Sequence, residues 1–485
     1  MEENQTMEEP KQSNKYMKIK KFHFVMGIFL IIFLTAGITT LALMFGEDGE
    51  KPIQQVINQR NEFSKLYSAY DTIKKDYYTD IDDKKLISGA ITGMLQSLED
   101  PYSVYMDIEE AQGFHEKISS SFEGIGAEIQ TQDSKIMVVA PIKGSPAEKA
   151  GLKPYDYILS VDGKSLEGMS TTEAVTLIRG KKGTKVQLMI QRGKNSEPMQ
   201  VEIVRDTIPI ETVYAKMDDS KIATIQITSF SEHTYEELLK AVNDLESKGM
   251  KGLVLDLRQN PGGILDQALD ISDLFVPEGK QILSVEYRNG EKEVYKAKGG
   301  KKVKVPVAVL IDNGSASASE IVAGALKEAA GILLIGEKTF GKGTVQTAVD
   351  LDDGSNIKYT TAKWLTPNDN WIHKKGIEPD VKVALPSYAN LPYISPEKEL
   401  SITTNGTEVK AIEEMLAAVG YKPGNVDGYF DEATQKAVTE FQKANKLEVT
   451  GKVSGDTTMV LMSKIREKIV SNDTQLLKAI ENVKK

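Results

Sequence analysis

Hydrophobic residues change their spacing several times along the chain, and each change marks a segment. From Phe24 to Phe45 the run is almost uninterrupted and apolar, with Lys15, Lys18, Lys20 and Lys21 before it and Glu47, Asp48 and Glu50 after it. Such a run spans a hydrocarbon layer of about 30 Å at 1.5 Å per residue, and the basic flank stays on the cytoplasmic side. This predicts a cytoplasmic tail over 1–22, a single-pass anchor over 23–46 and everything after Gly46 outside. A cleaved signal peptide is the competing reading. Its apolar stretch would be shorter and end at a small-residue cleavage site, which is not evident here, so an uncleaved anchor is favoured. Over 47–115 apolar residues then recur at helical intervals, in Phe63 to Tyr70 and Ile87 to Leu98, until Asp100-Pro101 stops the helix. That segment is too small to bury a core by itself.

From about Ser119 to Asp206 the pattern shifts to short strands punctuated by glycine. Gly124-Ile125-Gly126-Ala127 opens one strand and Ile136 to Ala140 forms another. Ser145 to Gly151 makes a short helix with a glycine stop, Asp156 to Gly163 a strand and turn, and Thr171 to Ile178 a helix. This order resembles a PDZ domain, assigned to 116–207. The resemblance implies that Gly124, Ile125, Gly126 and Ala127 form the loop whose backbone N–H groups take a peptide carboxylate, while the strand edge pairs with the peptide.

Over 208–390 the strands Lys221–Ile227, Gly252–Leu257, Val305–Ile311 and Gly331–Ile335 alternate with helices at Thr234–Lys248, Ile264–Leu274 and Ser319–Ala330. Buried strands alternating with helices predict a layered α/β core. The last segment, 391–485, is helical and carries a degenerate repeat: Val426 to Thr434 is echoed by Val449 to Thr457, with Ala437, Val438, Phe441 and Ala444 as an apolar helical stripe between them. It resembles the small helical peptidoglycan-binding domain. Asp431 and Thr450 depart from that family's usual Gly and Asp. The fold class is therefore multi-domain α+β: an α/β core with an inserted PDZ domain, an N-terminal transmembrane helix and a helical C-terminal domain.

Composition narrows the chemistry. A chain of 485 residues, 40% hydrophobic and 27% charged, is an ordinary globular protein of several domains. Its net charge of -10 argues against nucleic acid as a partner. The basic run from Lys296 to Lys304 reads as a solvated turn. Cysteine is absent, which removes disulfides, thiolate catalysis and cysteine-based zinc sites.

The strand Val305–Ile311 runs into Asp312-Asn313-Gly314-Ser315-Ala316-Ser317-Ala318-Ser319-Glu320 and then a helix. A small-residue turn from a buried strand into a helix N-terminus presents a hydroxyl beside free backbone N–H groups. Three serines compete, and one, Ser319 being a candidate, is expected to cap the helix. For the base there are 4 histidines. His23 lies at the membrane edge, His115 and His233 read as exposed, and only His373 is a serious triad candidate. Lys342, between Gly341 and Gly343, is the better one. Glycines let the backbone approach closely, and a lysine serves as base once burial without a carboxylate partner depresses its pKa from about 10.4 toward 7–8. If that segment is extended, Lys342, Thr344 and Gln346 share a face.

Ser317 precedes Lys342 by 25 residues and Gln346 follows it by 4. The block from Ser315 through Gln346 resembles the signature of the carboxyl-terminal processing (tail-specific) proteases, a Ser-Lys peptidase family, and the likeness extends over the helical segment, the PDZ module and the core. The resemblance implies a crotonase- or Clp-protease-like core, with Ser317 as nucleophile, Lys342 as base and Gln346 as its aid. The turn Arg258-Gln259-Asn260-Pro261-Gly262-Gly263 would lie beside the nucleophile, with Gly262, Gly263 and Ala318 offering oxyanion N–H groups. Arg179 would couple the PDZ module to the core. It further implies protein substrates with accessible C-termini, no metal or organic cofactor, a homodimer through the N-terminal helices, and regulated proteolysis or signalling at the cell envelope. The rival class is an inactive wall- and peptide-binding scaffold, which has no reason to keep serine, lysine and glutamine together.

Overall fold

A computed structural model describes Thr35 and residues 62–132, 134–193 and 196–484. The predicted tail, 1–22, and anchor, 23–46, lie outside the described residues except at Thr35, and among those described no helix is long and apolar enough to cross a membrane. Two compact units divide at Ile91–Thr92. The first holds the helix Ser64–Asp76 and the start of the helix Asp83–Gln96, with Lys74 paired to Asp83 at 2.6 Å. Neither helix has a buried residue, and Phe63, Leu66, Tyr67, Ile73 and Ile87 are exposed.

The second unit is built around a six-stranded sheet. Its order is Val213–Met217, Ile222–Ile227, Gly252–Asp256, Val307–Ile311, Leu333–Gly336 and Val381–Lys382, parallel except for the first pair. The sheet is covered on both sides, which is why Gly252–Asp256 is buried along its whole length. Alternate residues face opposite ways. Leu253, Leu255, Val309 and Ile311 pack toward the helices Thr234–Ser247, Leu265–Asp273 and Ala318–Ala330. Val254, Ala308, Leu310 and Ile335 meet Ala479 and Val483 of the helix Thr474–Val483. That last helix, which sequence grouping left with 391–485, thus packs on the core.

A second sheet, antiparallel, went unpredicted: Val104–Met106, Asn356–Leu365, Gln281–Tyr287 and Lys292–Lys296 in order, with Thr344–Asp350 also pairing to Asn356–Leu365. Lys292–Lys296 and Thr344–Asp350 are largely exposed, and even the buried part of Gln281–Tyr287 is interrupted by Ser284, so these strands lack the continuous apolar run that marks the central ones. The basic run is less solvated than expected, because Lys301 pairs with Glu246 and Lys302 with Asp273.

The PDZ module is an insertion. Its entry strand Ser121–Gly124 pairs antiparallel with its exit strand Asp206–Pro209. Between them lies a sheet in the order Ala127–Gln132, Lys135–Pro141, Asp156–Val161, Lys185–Arg192, Met199–Val204, closed over its own apolar core by the helix Thr171–Ile178. In the C-terminal module the helices Thr407–Ala418, Glu432–Ala444 and Gly455–Ser471 share one core. The sequence repeat has a physical basis. Buried Glu413 accepts from Gly428 N–H at 2.9 Å, and buried Gln442 accepts from Gly451 N–H at 2.9 Å, so each turn is tied to a preceding helix.

Candidate active site

The strand Val307–Ile311 ends where Asp312 begins a tight turn, and the three serines of that turn separate by environment. Ser315 is fully buried, its hydroxyl donating to Leu257 C=O at 2.8 Å and accepting from Asp312 N–H at 3.0 Å. Ser319 is also fully buried and donates to Asn260 C=O at 2.8 Å. It does not cap the helix; Ser317 occupies the N-cap position. Ser317 is half-buried and has φ 52° and ψ -113°, a left-handed backbone that costs a non-glycine residue on the order of 1–3 kcal/mol. Its side chain lines a cavity of about 650 Å³ whose walls also include Phe114, Lys117, Gly263, Lys342 and Lys358.

The glycine turn is pressed against this serine. A Cβ on Gly262 would sit 2.7 Å from Ala316 O and 2.9 Å from both Ala318 N and Ser317 Cβ; one on Gly263 would sit 2.0 Å from Phe230 O. Only glycine fits either position. Gly262 is not an available oxyanion donor, however, since its N–H is given to the Asn260 side-chain oxygen at 2.9 Å. Asn260 is fully buried and its amide also donates to Ile227 C=O at 2.7 Å. Among the described residues the N–H groups of Gly263 and Ala318 have no such acceptor, leaving those two of the three expected donors free.

Lys342 lies on a loop gripped from behind. Trp364 donates its indole N–H to Lys342 C=O at 3.0 Å, Trp371 to Gly343 C=O at 2.9 Å, and Lys374 N–H to Gly341 C=O at 2.8 Å. Half-buried, the Lys342 amine has its pKa pushed below the ordinary lysine value by burial first and by the Lys358 charge second, with Asp100 and Glu320 pulling the other way. The amine lies over the Tyr102 ring, 4.9 Å from its centroid, and no hydrogen bond joins it to the Ser317 hydroxyl among the described residues. Gln346 lies on the strand Thr344–Asp350 and donates to Thr344 Oγ1 at 3.0 Å and Thr360 Oγ1 at 3.3 Å. Thr344 and Gln346 do share a face, whereas Lys342 stands before the strand begins. Thr360 in turn donates to Asp100 at 2.6 Å, as does Ser103. Burial raises the Asp100 pKa, but these hydrogen bonds outweigh it and hold the carboxyl below its ordinary value.

Glu320, which the sequence did not single out, joins the two halves. Fully buried, its carboxylate accepts from Ser317 N–H at 2.9 Å, Lys342 N–H at 2.8 Å, Gly341 N–H at 2.7 Å and the Thr339 hydroxyl at 2.6 Å. Burial holds its pKa above the ordinary carboxylate value, and the four donors offset that only in part. Three of them are backbone N–H groups that only donate, so the set is complementary to the ionised carboxylate. His373 stacks on Trp371, ring centroids 5.2 Å apart, and its Nδ1 is buried without a partner. It braces the back of the lysine loop, its backbone N lying 2.8 Å from where a Gly343 Cβ would sit. His115 is hydrogen-bonded to Asp350 at 3.0 Å, and His233 is exposed at a helix start.

In the PDZ module the Gly124–Ala127 loop lies at the start of an edge strand, Ala127–Gln132. Gly126 has φ +74°, and a Cβ there would sit 2.5 Å from that of Ser145. Arg179 ends the helix Thr171–Ile178, its side chain 3.7 Å from where a Gly124 Cβ would be. It pairs with Glu116 at 2.8 Å and stacks on Phe122 at 4.6 Å. Glu116 lines the same cavity as Ser317.

Four families of known proteins match successive parts of the chain. They are the N-terminal domain of the activating protease CtpB over 44–110, the PDZ domain over 124–203, peptidase family S41 over 221–383 and a peptidoglycan binding domain over 405–461. The carboxy-terminal processing protease CtpA of Bacillus subtilis is 52% identical over 460 residues, covering 94% of this chain and 98% of that one. CtpB of the same organism is 44% identical over 455 residues, covering 92% and 95%. Among solved structures, the photosystem II D1 C-terminal processing protease is 30% identical, covering 66% of this chain and 87% of that one with a TM-score of 0.40. The chain therefore belongs to the carboxy-terminal processing proteases of peptidase family S41 and is a serine-type endopeptidase carrying a PDZ domain.

Proposed function

We propose that this protein is a membrane-anchored protease that cuts extracytoplasmic proteins with a Ser317–Lys342 dyad. The carrying observation is the strained Ser317 turn, open to the same cavity as an amine of depressed pKa and next to two uncommitted N–H groups. A substrate C-terminus docks at the Gly124–Ala127 loop and pairs with the edge strand. Docking shifts Arg179 and, through Glu116, the cavity wall, so the Lys342 amine leaves the Tyr102 ring and reaches the Ser317 hydroxyl. Lys342 takes the Ser317 proton as Oγ attacks the scissile carbonyl. Gly263 and Ala318 donate to the oxyanion. The protonated amine passes its proton to the leaving nitrogen, and Lys342 then deprotonates the water that releases the acyl group. Gln346, tied to Asp100 through Thr360, orients the returning amine without fixing its proton.

The apolar run Phe24 to Phe45 and its basic flank support a single-pass position in the cell membrane with the catalytic part outside. The exposed apolar side chains of the helix Ser64–Asp76, which has no buried residue, support pairing with a second copy. The C-terminal module supports peptidoglycan as a further partner, and this arrangement fits regulated proteolysis or signalling at the cell envelope.

The test is degradation of casein by the full chain in detergent. Ser317→Ala and Lys342→Ala should each lower turnover by at least a thousandfold with the fold retained by circular dichroism. Wild-type turnover in Ser317→Ala would refute the assignment.

A further inference from the structure

Lys358 is an unexplained charge. It lies on the strand Asn356–Leu365, half-buried, and its amine lines the cavity that holds Ser317 and Lys342. Among the described residues it has no hydrogen bond or ion pair, and lies over the Phe114 ring at 5.4 Å from the centroid. Half-buried lysines elsewhere on the core are paired, Lys302 with Asp273 and Lys327 with Asp380. Burial first and the Lys117 charge second push the Lys358 pKa below its ordinary value. Lys117, on the helix Ile108–Ser119, lines the same cavity and has no carboxylate partner either.

The acids nearby do not answer these charges. Glu116 is held by Arg179, Asp100 accepts from Ser103, Thr360 and Tyr102 N–H, and Glu211 lines the cavity but is exposed. In a chain of net charge -10, half-buried Lys358 and exposed Lys117 line the cavity with no carboxylate partner among the described residues. Keeping a lysine partly desolvated and unpaired is unfavourable unless something anionic arrives to offset it.

We propose that Lys358, assisted by Lys117, forms an anion-binding subsite of the active-site cavity that holds a carboxylate of the peptide substrate. The carboxylate is either the α-carboxylate of a C-terminal fragment or the side chain of an Asp or Glu near the scissile bond. An ammonium presents three donors on a compact point charge and suits both. The subsite rests on the reading of Ser317 and Lys342 as the catalytic pair.

The experiment uses the full chain in detergent with matched internally quenched peptides of one sequence. One pair differs as C-terminal acid against amide; the other carries Asp against Asn at single positions flanking the cleaved bond. The wild type should prefer one anionic member by about tenfold in kcat/KM, mostly through KM, and lose that preference in high salt. Because the PDZ loop also favours a free C-terminus, the pair whose preference collapses in Lys358→Met, not the pair that responds in the wild type, identifies the source of the carboxylate. In Lys358→Met the ratio should fall to within about twofold, in Lys358→Arg it should persist, and in Lys358→Glu it should invert toward a peptide carrying Lys at that position. A wild type indifferent to charge, or a cleaving Lys358→Met enzyme with the wild-type ratio, overturns the subsite. Cleavage by Ser317→Ala at the wild-type rate overturns the underlying site, whatever the ratios.

Discussion

Replacing Glu320 by glutamine should separate the two halves of the active site without removing any group proposed to react. The carboxylate holds four donors, two on each oxygen: Thr339 and Gly341 on Oε1, Ser317 and Lys342 on Oε2. In its better orientation, glutamine keeps its carbonyl toward Ser317 and Lys342 and turns its amide toward Thr339, leaving Gly341 N–H facing another donor. The two retained backbone bonds drop from charge-assisted strength, about 1.5–3 kcal/mol, to about 0.5–1.5 each, and one buried N–H loses its acceptor at about 1–3 kcal/mol. The net loss is about 3–6 kcal/mol, concentrated on the contacts that set the distance between the serine turn and the lysine loop. A displacement of about 1 Å there lowers turnover on the order of a hundredfold. Steady-state cleavage of a quenched peptide should show kcat reduced by about that factor, with KM within about threefold and the PDZ module still binding a C-terminal peptide. A Glu320→Gln enzyme with kcat within about threefold of wild type would refute the reasoning.

Two further outcomes follow from the charges described. As the proposed base, Lys342 can take a proton only when neutral, so activity should rise as pH climbs through its folded pKa, which lies below the ordinary 10.5. Asp100 raises that pKa, so Asp100→Asn should move the acidic limb of the kcat/KM profile to lower pH; a limb displaced upward would contradict this placement of charge. Arg258 is 12% exposed and pairs with Asp256 at 2.8 Å and with Asp473 at 2.7 Å. Burial works against its charge, and the two carboxylates more than offset that, holding it above its ordinary pKa. Because Arg258 keeps Asp256, Asp473→Ala should destabilise the core by about 1.5–3 kcal/mol, read as a lower thermal midpoint; an unchanged midpoint would show that the pair contributes nothing.

What the sequence made legible was the chemistry that sits close together in the chain. Ser317, Lys342 and the glycine turn each lie at the end of an apolar strand or between glycines, which made them candidates; three serines competed at the turn, and it was the resemblance of the block from Ser315 through Gln346 to a Ser-Lys peptidase family that singled out Ser317 and Lys342. Glu320 was not legible, because its meaning comes from Thr339, Gly341 and Lys342, some twenty residues away and reached only through the fold. Tyr102 and Asp100 were further still. They follow a helical segment and meet Lys342 and Thr360 only because Val104–Met106 pairs with Asn356–Leu365. The commitment of Gly262 N–H to Asn260 depends on a side-chain rotamer that no backbone pattern reports.

The closing of the central sheet by Thr474–Val483 bears on how the protein is made. During synthesis, the strands bearing Val254, Ala308 and Leu310 emerge long before the segment that shields them. Until that segment docks, the sheet has a bare oily side, and Arg258 lacks one of its two carboxylates. A chain lacking that segment is thus incomplete just behind the glycine turn that abuts Ser317. Completion of the site is thereby tied to the docking of Thr474–Val483, which follows every strand of the central sheet in the chain.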